Sequence, residues 1–185
     1  MEIPSKIILF IIAGLFISYS SAQPNISWKE HIIDDSSIGP PDLAGSDGLV
    51  MADLDKDGYL DIISVHELDT EYGVPEGYVR IAWGSEDPFT WTSTTLASGS
   101  EAPSAEDVDV SDADGDGWLD IVVACELAHL VYFKNPTKDH RKVPWERTIP
   151  QTTLNRGSFI RVFFSDLDND GKVEVITANK GGENA

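Results

Sequence analysis

The chain has 185 residues, with 32 acidic against 13 basic side chains and a formal net charge of −19. That balance excludes nucleic acid and anionic membrane surfaces as partners, since both require basic patches. A single cysteine, Cys125, excludes an intrachain disulfide framework, and its setting in IVVACE predicts a small buried residue rather than a nucleophile.

Taken in order, residues 1–22 read as a secretory signal peptide. Lys6 supplies the short positive region, Ile7 to Ile17 form an apolar run of 11 residues, and Ser20 and Ala22 place small side chains before a cleavage point at Gln23. A transmembrane anchor needs about 20 apolar residues, which this run does not reach. The mature chain, 23–185, is therefore expected to be secreted or extracellular, or periplasmic or at the cell surface if bacterial. A first tryptophan motif follows, SWKEHII around Trp28, and its sequel is a strand-like segment, GLVMAD.

Three acidic loops then dominate the chain: DLDKDGYLD (Asp53 to Asp61), DADGDGWLD (Asp112 to Asp120) and DLDNDGKVE (Asp166 to Glu174). Each carries carboxylates at positions 1, 3 and 5, glycine at 6 and an acid at 9. Oxygen ligands at alternate positions, followed by a glycine that permits a sharp turn, meet the needs of a hard cation such as calcium. Without a cation, two carboxylates ~4 Å apart repel by about 4 kcal/mol at an effective dielectric near 20. The alternative, an acidic turn on a solvated surface, suits one such loop better than three in one register. The expected ligands are the side chains of Asp53, Asp55, Asp57 and Asp61 with the carbonyl of Tyr59. In the second copy they are Asp112, Asp114, Asp116 and Asp120 with the carbonyl of Trp118, and in the third Asp166, Asp168, Asp170 and Glu174 with that of Lys172.

The flanks are not those of an EF-hand, whose longer loop closes with glutamate at position 12 between helices. Here GLVMAD and YLDIISV, DVDVSD and WLDIVVA, IRVFFSD and KVEVITA are short, β-branched and partly alternating, so each loop is expected to be the turn of a β-hairpin. The loops recur after 59 and then 54 residues, and TWTSTTL at Trp91 and PWERTIP at Trp145 keep step with them, as does Trp28. A further strand lies between, YVRIAWG from Tyr78 and HLVYFKN from His129. One period thus holds four antiparallel strands, the fourth carrying the tryptophan as a packing wedge. This predicts an all-β fold, a β-propeller of four-stranded blades.

The loops, the strands that follow them (LDIISV, LDIVVA, VEVITA) and the period resemble FG-GAP/VCBS-type repeats, the blades of integrin-like calcium-binding propellers. The resemblance covers about residues 28–185 and implies blades at about 44–97, 103–150 and 157–185, with calcium as the bound ion. Only two and a half blades are present where a propeller has at least four, so the chain is expected to be the N-terminal part of a longer protein, with the strand at Trp28 completing a last blade.

If each loop joins the first two strands of its blade, all three lie on one face of the disc. The opposite face then collects His66, Glu67, Asp69 and Glu71 from the first blade, and Glu126 and His129 from the second. Asp47, Glu106, Asp107, Arg156 and Lys180 join them from the inter-blade connections. This rim is either a solvated acidic surface or a site for a protein or glycan ligand. The favoured function is a secreted, non-catalytic binding, adhesion or structural module. The alternative is the propeller of a carbohydrate-active enzyme, a polysaccharide lyase or sugar dehydratase, which WKEHII and Asn135-Pro136 loosely resemble; no catalytic motif accompanies it.

Overall fold

Short β-branched runs punctuated by Asp-Gly turns give ten strands and no α-helix among the described residues. The computed structural model describes residues 27–34, 43, 45–68 and 75–181. The leader over 1–22, Asp69 and Glu71 lie outside them. The chain divides into two units, Met1–Glu30 and His31–Ala185. Of the first, only 27–30 are described; they form no strand, and Trp28 is 91 % exposed. The strand expected around Trp28 is thus not formed over 27–33.

In the second unit, β1 (Ser46–Ala52), β2 (Asp61–His66), β3 (Gly77–Trp83) and β4 (Thr92–Gly99) make one sheet in the order β1-β2-β3-β4. A second sheet repeats that order with β5 (Ala105–Ser111), β6 (Asp120–Cys125), β7 (Leu130–Lys134) and β8 (Glu146–Thr148). A hairpin of β9 (Ser158–Ser165) and β10 (Glu174–Gly181) completes the described strands. All pairings are antiparallel between chain neighbours. The fold is all-β, and each acidic loop joins the first two strands of its sheet.

Within the second sheet β6 is covered on both faces, which is why DIVVAC is uniformly apolar after its first residue and buried throughout. Ile121, Val123 and Cys125 join Val131 and Phe133 in a core shared with Ile63, Val65, Val79, Ile81 and Trp83 of the first sheet. The alternate residues Val122 and Ala124 turn the other way, onto Phe159 and Val162 of β9. Each such side chain contributes about 1.5–3 kcal/mol on burial. Burial also pushes the Cys125 thiol up to about 12, so it is a packing residue and inert as a nucleophile.

The first strands of successive sheets lie side by side, β1 against β5 and β5 against β9. Gly48 of β1 sits so close to β5 that a Cβ there meets the Asp107 Cα at 2.7 Å. At the next seam Asp107 and Asp109 accept hydrogen bonds from the Val162 and Phe164 amides, at 2.9 and 2.7 Å.

Two sequence expectations change here. Trp91 and Trp145 precede the fourth strands rather than lying in them. Trp145 is buried in the inter-sheet core, whereas Trp91 is only half-buried and donates to the Pro88 carbonyl; the other buried indole is Trp83 in β3, bonded to Thr94. A flat apolar ring is placed by the space between sheets, not by its place in the repeat.

Candidate metal centres

Each acidic loop is a set of turns in which the carboxylates bind the backbone amides of their own loop. In the first, Asp53 accepts from the amides of Asp57 (3.1 Å) and Gly58 (3.0 Å), Asp55 from Asp57 (3.3 Å), and Asp57 from Tyr59 (2.9 Å). The second repeats this with Gly117 to Asp112 (2.9 Å), Asp116 to Asp114 (3.1 Å) and Trp118 to Asp116 (3.0 Å). In the third, Asp170 donates to Asp166 and Asp168, both at 3.1 Å, Gly171 to Asp166 (3.0 Å) and Lys172 to Asp170 (2.8 Å). Positions 4 and 6 are left-handed in every copy: Lys56 and Gly58, Gly115 and Gly117, Asn169 and Gly171. Glycine is the residue that takes such a conformation without strain, and asparagine tolerates it better than most.

These turns gather carboxylate oxygens to within 4.8 Å of one another: Asp53, Asp55 and Asp57 in the first loop, Asp112, Asp114 and Asp116 in the second, and Asp166, Asp168 and Glu174 in the third. All three clusters could hold a metal ion. Asp170, an expected ligand, lies outside the third cluster, and Glu174 takes its place through its longer side chain.

The position-9 aspartates behave differently from the sequence expectation. Asp61 is fully buried and both its oxygens are taken by backbone amides, Leu54 at 2.9 Å and Gly84 at 2.9 Å. Asp120 accepts from Ala113 (3.3 Å), Asn135 (2.9 Å) and the Tyr132 hydroxyl (2.6 Å). Each clamps its loop to the residue that follows the third strand of the same sheet. Burial pushes Asp61 up to about 6, opposed by the two amides and reinforced by Asp55 and Asp57. Asp120 is raised for the same first reason, and its hydrogen bonds pull the other way. Glu174 makes the corresponding bond from the Leu167 amide, 2.7 Å, and still reaches the third cluster.

Cations of the chain itself reach two of the clusters. Arg141, from the connection between β7 and β8, spans Asp55 and Asp57 at 2.8 Å each. Lys134 pairs with Asp114 and lies 3.4 Å from Asp116. Lys56 donates to the Gly117 carbonyl at 2.6 Å and stands 4.1 Å above the Trp118 ring, tying the first loop to the second. Asn135 completes the junction, fully buried and donating to the Leu54 and Leu119 carbonyls, both at 3.1 Å. Sequence reasoning gave none of these four residues a part in the loops, since side chains 20, 81 and 84 positions from their partners leave no mark in a local motif.

Away from the loops, Asp47, Glu67 and Glu106 form a fourth cluster with oxygens within 4.8 Å. Burial, then Asp47 and Glu126, raise Glu106 above the usual carboxylate range. The rest of the expected rim is less open than a solvated surface. Glu126 is buried and paired with Lys180, Asp107 is turned to the β9 backbone, and His129 is held below its ordinary value by burial. His66 is buried, bonded to Ser64 at 3.1 Å and pushed down to about 4 by burial and then by Arg80. Arg156 lines a cleft beside β10. Packing of each sheet on the next closes over groups that strand order alone leaves at an edge.

The chain matches no protein-family model, and neither a curated protein nor a solved structure matches it. Among the described residues no helix is long and apolar enough to cross a membrane.

Proposed function

We propose that the chain is a secreted calcium-binding module of the FG-GAP/VCBS type, its sheets the blades of a β-propeller, serving as a non-catalytic binding, adhesion or structural scaffold. The observation that carries this reading is the recurrence of one loop geometry three times, each copy gathering three carboxylates within 4.8 Å. The donors are all hard oxygens, as calcium prefers, and the ion takes six to eight of them at about 2.3–2.6 Å. The residues fit the ion. Asp53, Asp55 and Asp57 would hold it in the first loop, Asp112, Asp114 and Asp116 in the second, and Asp166, Asp168 and Glu174 in the third. The carbonyls of Tyr59, Trp118 and Lys172 and solvent would complete the shells. Asp61 and Asp120 act as clamps that keep each loop on its sheet.

The side-by-side first strands support the blade reading, since a propeller places the first strand of every blade around its axis. The leader expected from the sequence would agree with export, and extracellular modules hold calcium with dissociation constants of about 10⁻⁴–10⁻³ M. The ion would cancel the repulsion within each loop and stiffen the turn, leaving the opposite face for a protein or glycan partner.

Thermal unfolding of the purified chain in calcium and in EDTA tests the proposal. An ion that binds only the folded state stabilises by about 2.7 kcal/mol per site at a hundredfold excess over its dissociation constant. The midpoint is expected to rise with calcium, and an unchanged midpoint overturns the calcium assignment.

A further inference from the structure

We propose that the first two acidic loops take calcium as one coupled pair, linked through Lys56, while the third loop takes its ion independently. The inference rests on the calcium reading above and adds how those sites regulate one another. Position 4 of the loops is Lys56, Gly115 and Asn169, left-handed in all three. Glycine and asparagine adopt that conformation more readily than lysine, so the first loop carries a lysine at a conformational cost. Lys56 stands between Asp55 and Asp57, two carboxylates of the first cluster. Its ammonium crosses to the second loop, where it donates to the Gly117 carbonyl at 2.6 Å and lies 4.1 Å above the Trp118 ring. Gly115 has no side chain, so the second loop has no equivalent arm at this position to reach the third.

The Gly117 carbonyl and the Trp118 amide belong to one planar trans peptide and point in opposite directions. The amide donates to Asp116 at 3.0 Å, and Asp116 is a carboxylate of the second cluster. One peptide is therefore held at one end by the first loop and at the other by a group expected to hold the second ion. The Trp118 ring is also stacked on His140 at 4.4 Å, and His140 Nδ1 lies 2.7 Å from Asn135 Oδ1. Asn135 in turn donates to the Leu54 and Leu119 carbonyls, one in each loop. Fixing Asp55 and Asp57 around an ion fixes the backbone that carries Lys56, and with it the peptide that orients Asp116. Part of the ordering cost is then met once for both sites, which gives positive coupling. By linkage each ion raises the affinity for the other by the same factor. Repulsion between two divalent ions has the opposite sign, so the sign discriminates between the two effects.

The test follows backbone amides of the full chain by nitrogen–proton correlation NMR as calcium is added. The amides of Gly58, Gly117 and Gly171 each donate to the first carboxylate of their own loop and so report the three sites separately. A coupling of about fivefold gives Gly58 and Gly117 binding curves with a Hill coefficient of about 1.4, while Gly171 follows a simple hyperbola. In Lys56→Met, an exposed position, the Gly58 and Gly117 curves are expected to become hyperbolic. Loss of the positive charge by itself would strengthen binding without changing the shape of the curves. Hyperbolic or shallower curves at Gly58 and Gly117 in the wild type overturn the coupling and leave the calcium reading standing. Steepness that persists in Lys56→Met, or that Gly171 shares, also overturns it, because the link then runs through the fold as a whole. No response at any of the three amides overturns the calcium reading and the coupling together.

Discussion

Replacing Gly48 by alanine tests the packing of one sheet on the next. An added Cβ would lie 2.7 Å from the Asp107 Cα, 2.9 Å from Val65 Cγ2 and 3.0 Å from the Val108 amide nitrogen. The first and third are backbone atoms of β5 and cannot rotate away. Relief requires β1 and β5 to separate by several tenths of an ångström to about 1 Å, and a gap of that size forfeits a quarter to a half of each dispersion contact across the seam. The contacts at risk are those of fully buried Val65 and Ala105 with their neighbours. Overpacking of this kind costs about 1–3 kcal/mol, which for a domain of this size lowers the melting temperature by roughly 2–4 °C per kcal/mol. Leu49, the next residue, points to the other face and is 60 % exposed, so Leu49→Ala should stay within about 0.5 kcal/mol. Urea unfolding of both variants in EDTA separates the effect from any metal. If Gly48→Ala unfolds with the wild type, or if Leu49→Ala is as damaging, the two faces of β1 are wrongly assigned.

Three further outcomes are expected. Arg141→Ala removes the cation that spans Asp55 and Asp57; being half-exposed it should cost at most about 1 kcal/mol without metal, yet strengthen ion binding at the first loop, which terbium luminescence sensitised by Tyr59 reports, and unchanged binding refutes the competition. His66, held down at about 4, stays neutral in the folded chain while the unfolded chain takes up its proton below about 6.5. Its share of stability is therefore full above pH 6.5 and falls by up to about 3 kcal/mol as pH drops towards 4; His66→Gln should flatten that part of the urea-stability profile, and an unaltered slope excludes His66 as its source. Lys180→Ala leaves the Glu126 carboxylate buried without its ion-pair partner and should cost about 1–3 kcal/mol, whereas Glu126→Gln leaves only a half-exposed ammonium and should cost about 1 kcal/mol or less; equal losses in denaturant unfolding contradict that asymmetry.

The local features were legible in the amino-acid sequence because their causes are local. Carboxylates at positions 1, 3 and 5 and a glycine at 6 dictate a turn whose amides are bonded by its own side chains, and strand alternation on either side dictates a hairpin. The succession of strands along the chain likewise determined that neighbours pair with neighbours, since a meander needs only short connections. The role of the acid at position 9 was not legible. Asp61 carries the same spacing as a ligand, but only the arrival of Gly84, 23 residues on, gives its second oxygen a backbone amide partner. The same holds for Arg141 at Asp55 and for Glu126 under Lys180, whose partners come from other sheets. Gly48 did leave a trace, a glycine inside a strand marking close backbone approach, yet which backbone approaches it was decided by how β1 stacks on β5. Spacing along the chain determines what a segment can do by itself, and burial by the next sheet decides which of its charged groups face a cation, a backbone amide or another side chain.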